Sequence, residues 1–356
     1  MPLISSLGLM NAIGFGFSVL KYPPSIAMSS ATSPYQDIYP WTTGVGFGVR
    51  FSNPATAMSI AARGVSFNPI SSIVSFGMNG SPYITTYKWT SLGYGTKYAD
   101  PSPSFTGGSN GPVFNPANNT IAIAQTATPF IGAYPWNDTT GYGTKYANPS
   151  VLPATANNAI TFSPSGNDIF STQTNSPYVL AYPWSAGFGT KYANPVTPPP
   201  SRGLAVAVNS IGTVVLVAGF ASPYLTTYSW VSGTGFGTKY ADPATLPIGN
   251  VYSATFNPAG TVVSYASVGS PYIISYAWSA GYGTKYSNPS VLPLISTGAY
   301  GVSFNSTGTD IAVTSDGATA LTVYPWSAGY GTKYANPITL PTGSGNPPSK
   351  VSFSSK

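Results

Sequence analysis

Histidine, glutamate and cysteine are all absent from this 356-residue chain, and charged residues of any kind make up only 6% of it. An ordinary soluble protein carries about 25% charged residues. Without cysteine there are neither disulfides nor thiolate metal sites. Without histidine and glutamate, almost nothing titrates between about pH 5 and 9 apart from the terminal amine. Stability and binding are therefore expected to stay flat across that range. The same gaps weigh against catalysis. A serine nucleophile would find no histidine base, and no cluster of ligand-type residues points to a metal. The acids are Asp37, Asp100, Asp138, Asp168, Asp242, Asp310 and Asp316. Asp100 and Asp242 occupy one position of different repeats, as do Asp168 and Asp310, so a carboxylate pair is not expected. The Gly-x-Gly runs lack the Gly-Lys-Ser/Thr and the following helix of a phosphate loop. The expectation is a chain that is not an enzyme and uses no cofactor and no metal.

Long apolar runs are also missing. Residues 1–20 are fairly apolar, but Ser5, Ser6 and Asn11 interrupt them and the first basic residue is Lys21. A secretory leader needs a positive start, so a buried or strand role is the better reading. No other stretch approaches the roughly 20 apolar residues of a membrane helix.

What the chain has in quantity is Gly (39), Pro (35) and Tyr (26), with 14% aromatic residues overall. Gly and Pro are the poorest helix formers and serve turns, while the aromatic content is ample for a core. The seven tryptophans are Trp41, Trp89, Trp136, Trp184, Trp230, Trp278 and Trp326, at spacings of 48, 47, 48, 46, 48 and 48. Each sits in one long repeat of four strand-like pieces. The first ends at Phe67, Phe114, Phe162, Val208, Phe256 or Phe304, before a turn such as Asn257-Pro258-Ala259-Gly260. The second is a short apolar run. The third alternates, as in Tyr83, Thr85, Tyr87 and Trp89 against Ile84, Thr86 and Lys88, the period of a strand. The fourth surrounds Gly-Thr-Lys-Tyr. Pro40, Pro135, Pro183 and Pro325 directly precede a Trp, so pairing between third and fourth strands is expected to break there.

Four strands in about 47 residues make a propeller blade. The predicted fold is all-β: a seven-bladed β-propeller over residues 16–356, four antiparallel strands per blade, preceded by an apolar segment at 1–15. Residues 17–20 and Val351-Ser352-Phe353 both align with the first strand of a blade. The C-terminal copy is read as the strand that closes the ring, with the N-terminal segment packed nearby and helping to form a contact surface, but eight candidates compete for seven inner positions and the sequence leaves open which of the two terminal copies takes the last.

The order Phe-Asn-Pro-x-Gly, apolar strand, turn, strand, Trp resembles the Trp-Asp repeat propellers. Here the residue after Trp is never Asp and the Gly-His pair is missing, which puts that family's buried hydrogen-bond network in question. The run Trp-Ser-Ala-Gly-Phe-Gly-Thr-Lys-Tyr-Ala-Asn-Pro at 184–195 resembles repeats of propeller proteins in tailed bacteriophages. That resemblance implies a virion component of tail or capsid surface, with virion localisation and other virion proteins or a host-surface glycan as partners, in an oligomer or larger assembly. Neither specific nucleic-acid recognition nor a membrane span is expected.

The candidate interaction residues are the seven tryptophans and a band of cations: Arg50, Lys97, Lys145, Lys191, Lys239, Lys285 and Lys333. On outer strands the cations would attract a polyanion or guard exposed strand edges against aggregation. The tyrosines that follow them, and the tryptophans, are expected to pack between blades. The alternative is a lectin with seven equivalent Trp, Tyr and Asn sets, such as Trp184, Tyr192 and Asn194, gaining avidity from weak sites. The functional expectation is a non-enzymatic structural or interaction module for assembly or host attachment, with the multivalent lectin as its alternative.

Overall fold

The apolar run of each repeat forms a strand buried along its whole length, as in Val262–Ser267 and Val214–Gly219. Such a strand needs neighbours on both faces, and the other pieces of the repeat provide them. The computed structural model describes residues 22–341 and 350–355. These form seven antiparallel sheets, the blades of a β-propeller. In blades two to seven the sheet runs from the inner to the outer strand in chain order. Blade one takes its inner strand, Val351–Phe353, from the C-terminal end, where Ala27 pairs with Ser352 and Ile26 with Phe353. The ring is thus closed by the C-terminal copy, as expected. The competing copy at residues 17–20, and the segment at 1–15, lie outside the described residues.

Proline decides the outer strands. Blades two, five and six have Lys88, Ser229 and Ala277 before the Trp, and their outer strands run Gly93–Lys97, Gly235–Lys239 and Tyr282–Lys285. Blades one and three have proline there and keep only Gly46–Phe47 and Gly141–Tyr142. Blades four and seven keep single bridges, Trp184 to Phe188 and Trp326 to Tyr330. A proline has no N–H for the ladder, and its ring fills the space over a glycine of the next piece: a Cβ on Gly48 would lie 2.9 Å from Pro40.

Three repeated contacts hold the blades together. First, each Trp meets the edge of an aromatic from the preceding blade, as Trp230 meets Tyr192 and Trp41 meets Tyr334 at 4.9 Å. Second, aspartates clasp three seams, Asp168 and Asp310 buried and Asp138 half-buried. Asp168 accepts from Trp230 Nε1 and Tyr192, Asp310 from Trp41 Nε1, Tyr334 and Asn305, and Asp138 from Trp136 Nε1 and Ser72. A buried carboxylate needs such donors to offset its lost hydration. Third, a tyrosine on every third strand donates its hydroxyl to the backbone of the loop crossing into that blade. Tyr39 reaches Thr339 O, Tyr87 reaches Thr56 O, Tyr182 reaches Val151 O and Tyr228 reaches Thr197 O, at 2.7–2.9 Å. Tyr134, Tyr276 and Tyr324 make the same bond to Pro103, Thr245 and Val291. These seven staples pin the crossing loops to one face of the disc.

Candidate ligand site at the channel mouth

The inner strands lie side by side around the central channel, so close that a Cβ on Gly64 would sit 2.4 Å from Gly111 Cα. In blades two to seven the ladder slips just after the first inner-strand residue, between Ala62 and Gly64 and at each equivalent place. Such a bulge re-aims the residue it displaces. The displaced positions are Arg63, Asn110, Asn158, Leu204, Tyr252 and Tyr300, all at the same end of the channel. Here the repeat gives up its regularity: these positions carry cation, amide, aliphatic and phenol.

Their side chains form a chain of contacts around the mouth. Arg63 donates to Asn110 Oδ1 at 3.2 Å, Asn110 Nδ2 to the Asn157 carbonyl at 2.7 Å, and Asn158 Nδ2 to the Gly203 carbonyl at 2.8 Å. The rings of Tyr252 and Tyr300 meet edge to face at 5.0 Å. Lys350, on the residue before the closing strand, reaches both of these blades. Its Nζ donates to the carbonyls of Tyr252 and Tyr300 at 2.5 and 3.1 Å. On the rim, the Arg202 guanidinium stacks over Phe220 at 5.0 Å. Nε of Arg63 and of Arg202 is buried without a partner, as are both side-chain polar atoms of Asn157.

The electrostatics of this mouth are positive. Burial lowers the pKa of Arg63 and pushes Lys350 down to about 8. The Lys350 residue as a whole is intermediate in surface exposure, but the ammonium itself is crowded by the surrounding strands. A pH response confined to the alkaline end of the range is therefore expected. Asp316 is engaged elsewhere: burial would raise its pKa, but the Thr297 hydroxyl and the amides of Thr297, Ser296 and Gly298 outweigh burial and hold it below the usual range. Thr297 in turn meets the Tyr300 hydroxyl at 2.7 Å. Further along the channel Ser66, Thr161, Thr255, Ser303 and Ser352 turn their hydroxyls onto the next backbone carbonyl.

The residues singled out from sequence lie elsewhere. All seven tryptophans are buried, none more than 6% exposed, so no ring face is open for a sugar to stack on. The cations lie on the outer rim. Arg50, Lys97 and Lys239 pair with Asp37, Asp100 and Asp242 at 2.6 Å. Lys145, Lys191, Lys285 and Lys333 instead donate to the amide oxygens of Asn148, Asn194, Asn288 and Asn336. A groove of about 330 Å³ lies beside Lys88, Lys97 and Thr139.

Fold and mouth together define a seven-bladed β-propeller with a polar, cationic channel entrance. No protein-family model matches the sequence, and no curated protein matches it. Solved structures do match over nearly the whole chain. A protein of Bacteroides uniformis described as a putative 6-phosphogluconolactonase superposes with a TM-score of 0.66 at 12% identity, covering 93% of this chain and 99% of that one. A protein of Bacteroides fragilis, described in the same words, gives 0.69 at 10% identity over 94% and 99%. A protein of Lactobacillus plantarum gives 0.69 at 12% identity over 93% and 99%. At these identities the likeness establishes the fold. The names nonetheless correct two expectations. Propellers of this shape carry an enzyme's name, which overturns the reading of the chain as a non-enzymatic virion module, together with its lectin alternative.

Proposed function

We propose that the protein hydrolyses a small anionic sugar lactone at the mouth of its central channel. The observation that carries this reading is that one channel mouth holds both a guanidinium, Arg63, and an amine, Lys350, held by two carbonyls. Arg63 gives one guanidinium hydrogen to Asn110 Oδ1 and has others left on the fork, while the Lys350 nitrogen donates to two carbonyls, which leaves its third position for the proton it exchanges. Spare charged donors in a half-buried site suit a phosphate or carboxylate. The amides of Asn110 and Asn158 and the phenol of Tyr300 suit sugar hydroxyls. The names of the two Bacteroides structures supply the reaction class.

In this reading Arg63 holds the anionic group of the substrate. Neutral Lys350 accepts a proton from water as the water oxygen bonds to the lactone carbonyl carbon. It returns that proton to the ring oxygen as the carbon–oxygen bond breaks, and the carboxylic acid formed loses its own proton to solvent. A lysine with a pKa of about 8 is suited to this role, because a base works best when its pKa lies near the working pH. The test is acid release from 6-phosphogluconolactone, corrected for spontaneous ring opening. The rate is expected to grow with protein concentration and to rise through about pH 8. Lys350→Met is expected to lower kcat by roughly 100-fold or more, while Arg63→Ala mainly raises KM. A rate no faster than the spontaneous one at any pH contradicts the proposal.

A further inference from the structure

The loops that cross from one blade to the next all lie on the mouth face, pinned by the tyrosine staples. Five consecutive crossings, from blade three round to blade one, push aliphatic side chains into solvent. Val196 is 100% exposed and Ile338 97% exposed; Val151, Ile248 and Val291 stand out on the other three. The remaining two crossings carry no such group: Met58 and Phe105 are buried there. The exposed aliphatics therefore form a continuous arc and not a ring. Scattered apolar residues need no explanation, but apolar tips repeated on five successive loops of one face do.

Charge follows the same division. The cations beside the two bare crossings, Arg50 and Lys97, are neutralised by Asp37 and Asp100. Along the arc only Lys239 has a carboxylate partner. Lys145, Lys191, Lys285 and Lys333 are held by uncharged asparagines and keep their net charge. Each of these lysines is anchored three residues away, at the start of a crossing that bears an exposed aliphatic. The arc thus combines fixed apolar tips with four uncompensated positive charges.

We infer that this arc seats the propeller on an anionic lipid surface. Aliphatic tips enter the boundary between headgroups and acyl chains, and lysines at their base meet the lipid phosphates, the combination by which peripheral proteins bind charged bilayers. A protein partner would need a matched acidic and apolar surface, whereas a bilayer supplies both along any curved line.

The test is co-sedimentation of the full chain with vesicles of phosphatidylcholine alone and of phosphatidylcholine mixed with phosphatidylglycerol. Binding is expected to the mixed vesicles only, weakening as salt rises. Val196→Asp with Ile338→Asp is expected to weaken it by roughly tenfold or more per residue. Both side chains are fully in solvent, so the melting temperature should not move. Lys145→Gln with Lys191→Gln should reduce binding to the mixed vesicles. Equal binding to both vesicle types, no binding to either, or binding unaffected by the aspartates overturns the inference. So does a dimer, seen by light scattering, that the aspartate variant dissociates in the absence of any vesicle binding, since that outcome assigns the arc to a second copy.

Discussion

Lys350 lies against the ends of the blade six and blade seven inner strands, with two backbone carbonyls on its ammonium. Its folded-state pKa of about 8 is below the roughly 10.4 of a free lysine. Between those values the unfolded chain binds more protons than the folded one, so stability rises with pH from about 8 to about 10.4. Urea unfolding across that window should show the rise, and Lys350→Met should flatten it. A second comparison separates two kinds of aspartate. Asp310 is fully buried and serves donors from two blades, whereas Asp100 pairs with Lys97 at the exposed rim. Asp310→Ala strands the Trp41 and Tyr334 donors and is expected to cost on the order of 3 kcal/mol. Asp100→Ala should cost roughly 0.5 kcal/mol or less. Thermal melts of the two variants check the contrast. None of this was legible in sequence. The resemblance to Trp-Asp repeats directed attention to the residue after each Trp. The carboxylate that receives Trp230 or Trp41 comes instead from the second strand of the preceding blade, and for Trp136 from Asp138 two residues on. Pairings across blades depend on how blades nest, which a single repeat does not contain.

At the scale of strands and loops the sequence was far more informative. Alternation in the third strand, continuous apolarity in the second and proline before the Trp each translate directly into backbone geometry. The shortened outer strands of the four proline blades follow from one missing N–H. The tyrosine staples are a consequence that periodicity alone could not supply, because their acceptors are main-chain carbonyls some 31 residues away in most repeats. Burial raises the pKa of Tyr182 and Tyr228 well above that of a free tyrosine. A raised phenol pKa contributes stability that is full below about pH 10 and lost as pH climbs toward the folded value. The staple tyrosines are therefore expected to ionise only together with unfolding in alkali, as a cooperative step in the phenolate absorbance. A smooth titration near pH 10 covering all 26 tyrosines would refute this. Tyr228→Phe, which removes one staple, should cost about 1 kcal/mol. The channel mouth was missed for a related reason: its residues are the irregular ones, at the bulge where the repeat ceases to repeat. The signal available was the departure from periodicity at Arg63, Asn110, Asn158, Tyr252 and Tyr300.

For the molecule as a whole, closure is the decisive event. The seven inner strands surround one channel only when Val351–Phe353 adds to blade one, and the same step delivers Lys350 to Tyr252 and Tyr300. Fold and site are completed together. Deleting residues 351–356 is expected to abolish the sharp thermal transition and to open blade one to proteolysis near Ser25–Ser29. An unchanged melt would mean that the ring is closed by other means. Number of blades and order of strands were legible because a ring multiplies one pattern seven times; which terminal copy closes the ring was not, because both fit the same slot. The proposed function was not, because it rests on the few residues that break the pattern.

The central claim is that the channel mouth is an anion-binding site built by Arg63 and Lys350. Calorimetric titration of the full chain with 6-phosphogluconate, the hydrolysis product and stable against ring opening, tests it most directly. Saturable one-to-one binding that weakens with salt and disappears in Arg63→Ala with Lys350→Met, in a variant that still melts cooperatively, is the expected result. Absence of binding to the wild-type protein, or equal binding to the double variant, would contradict it.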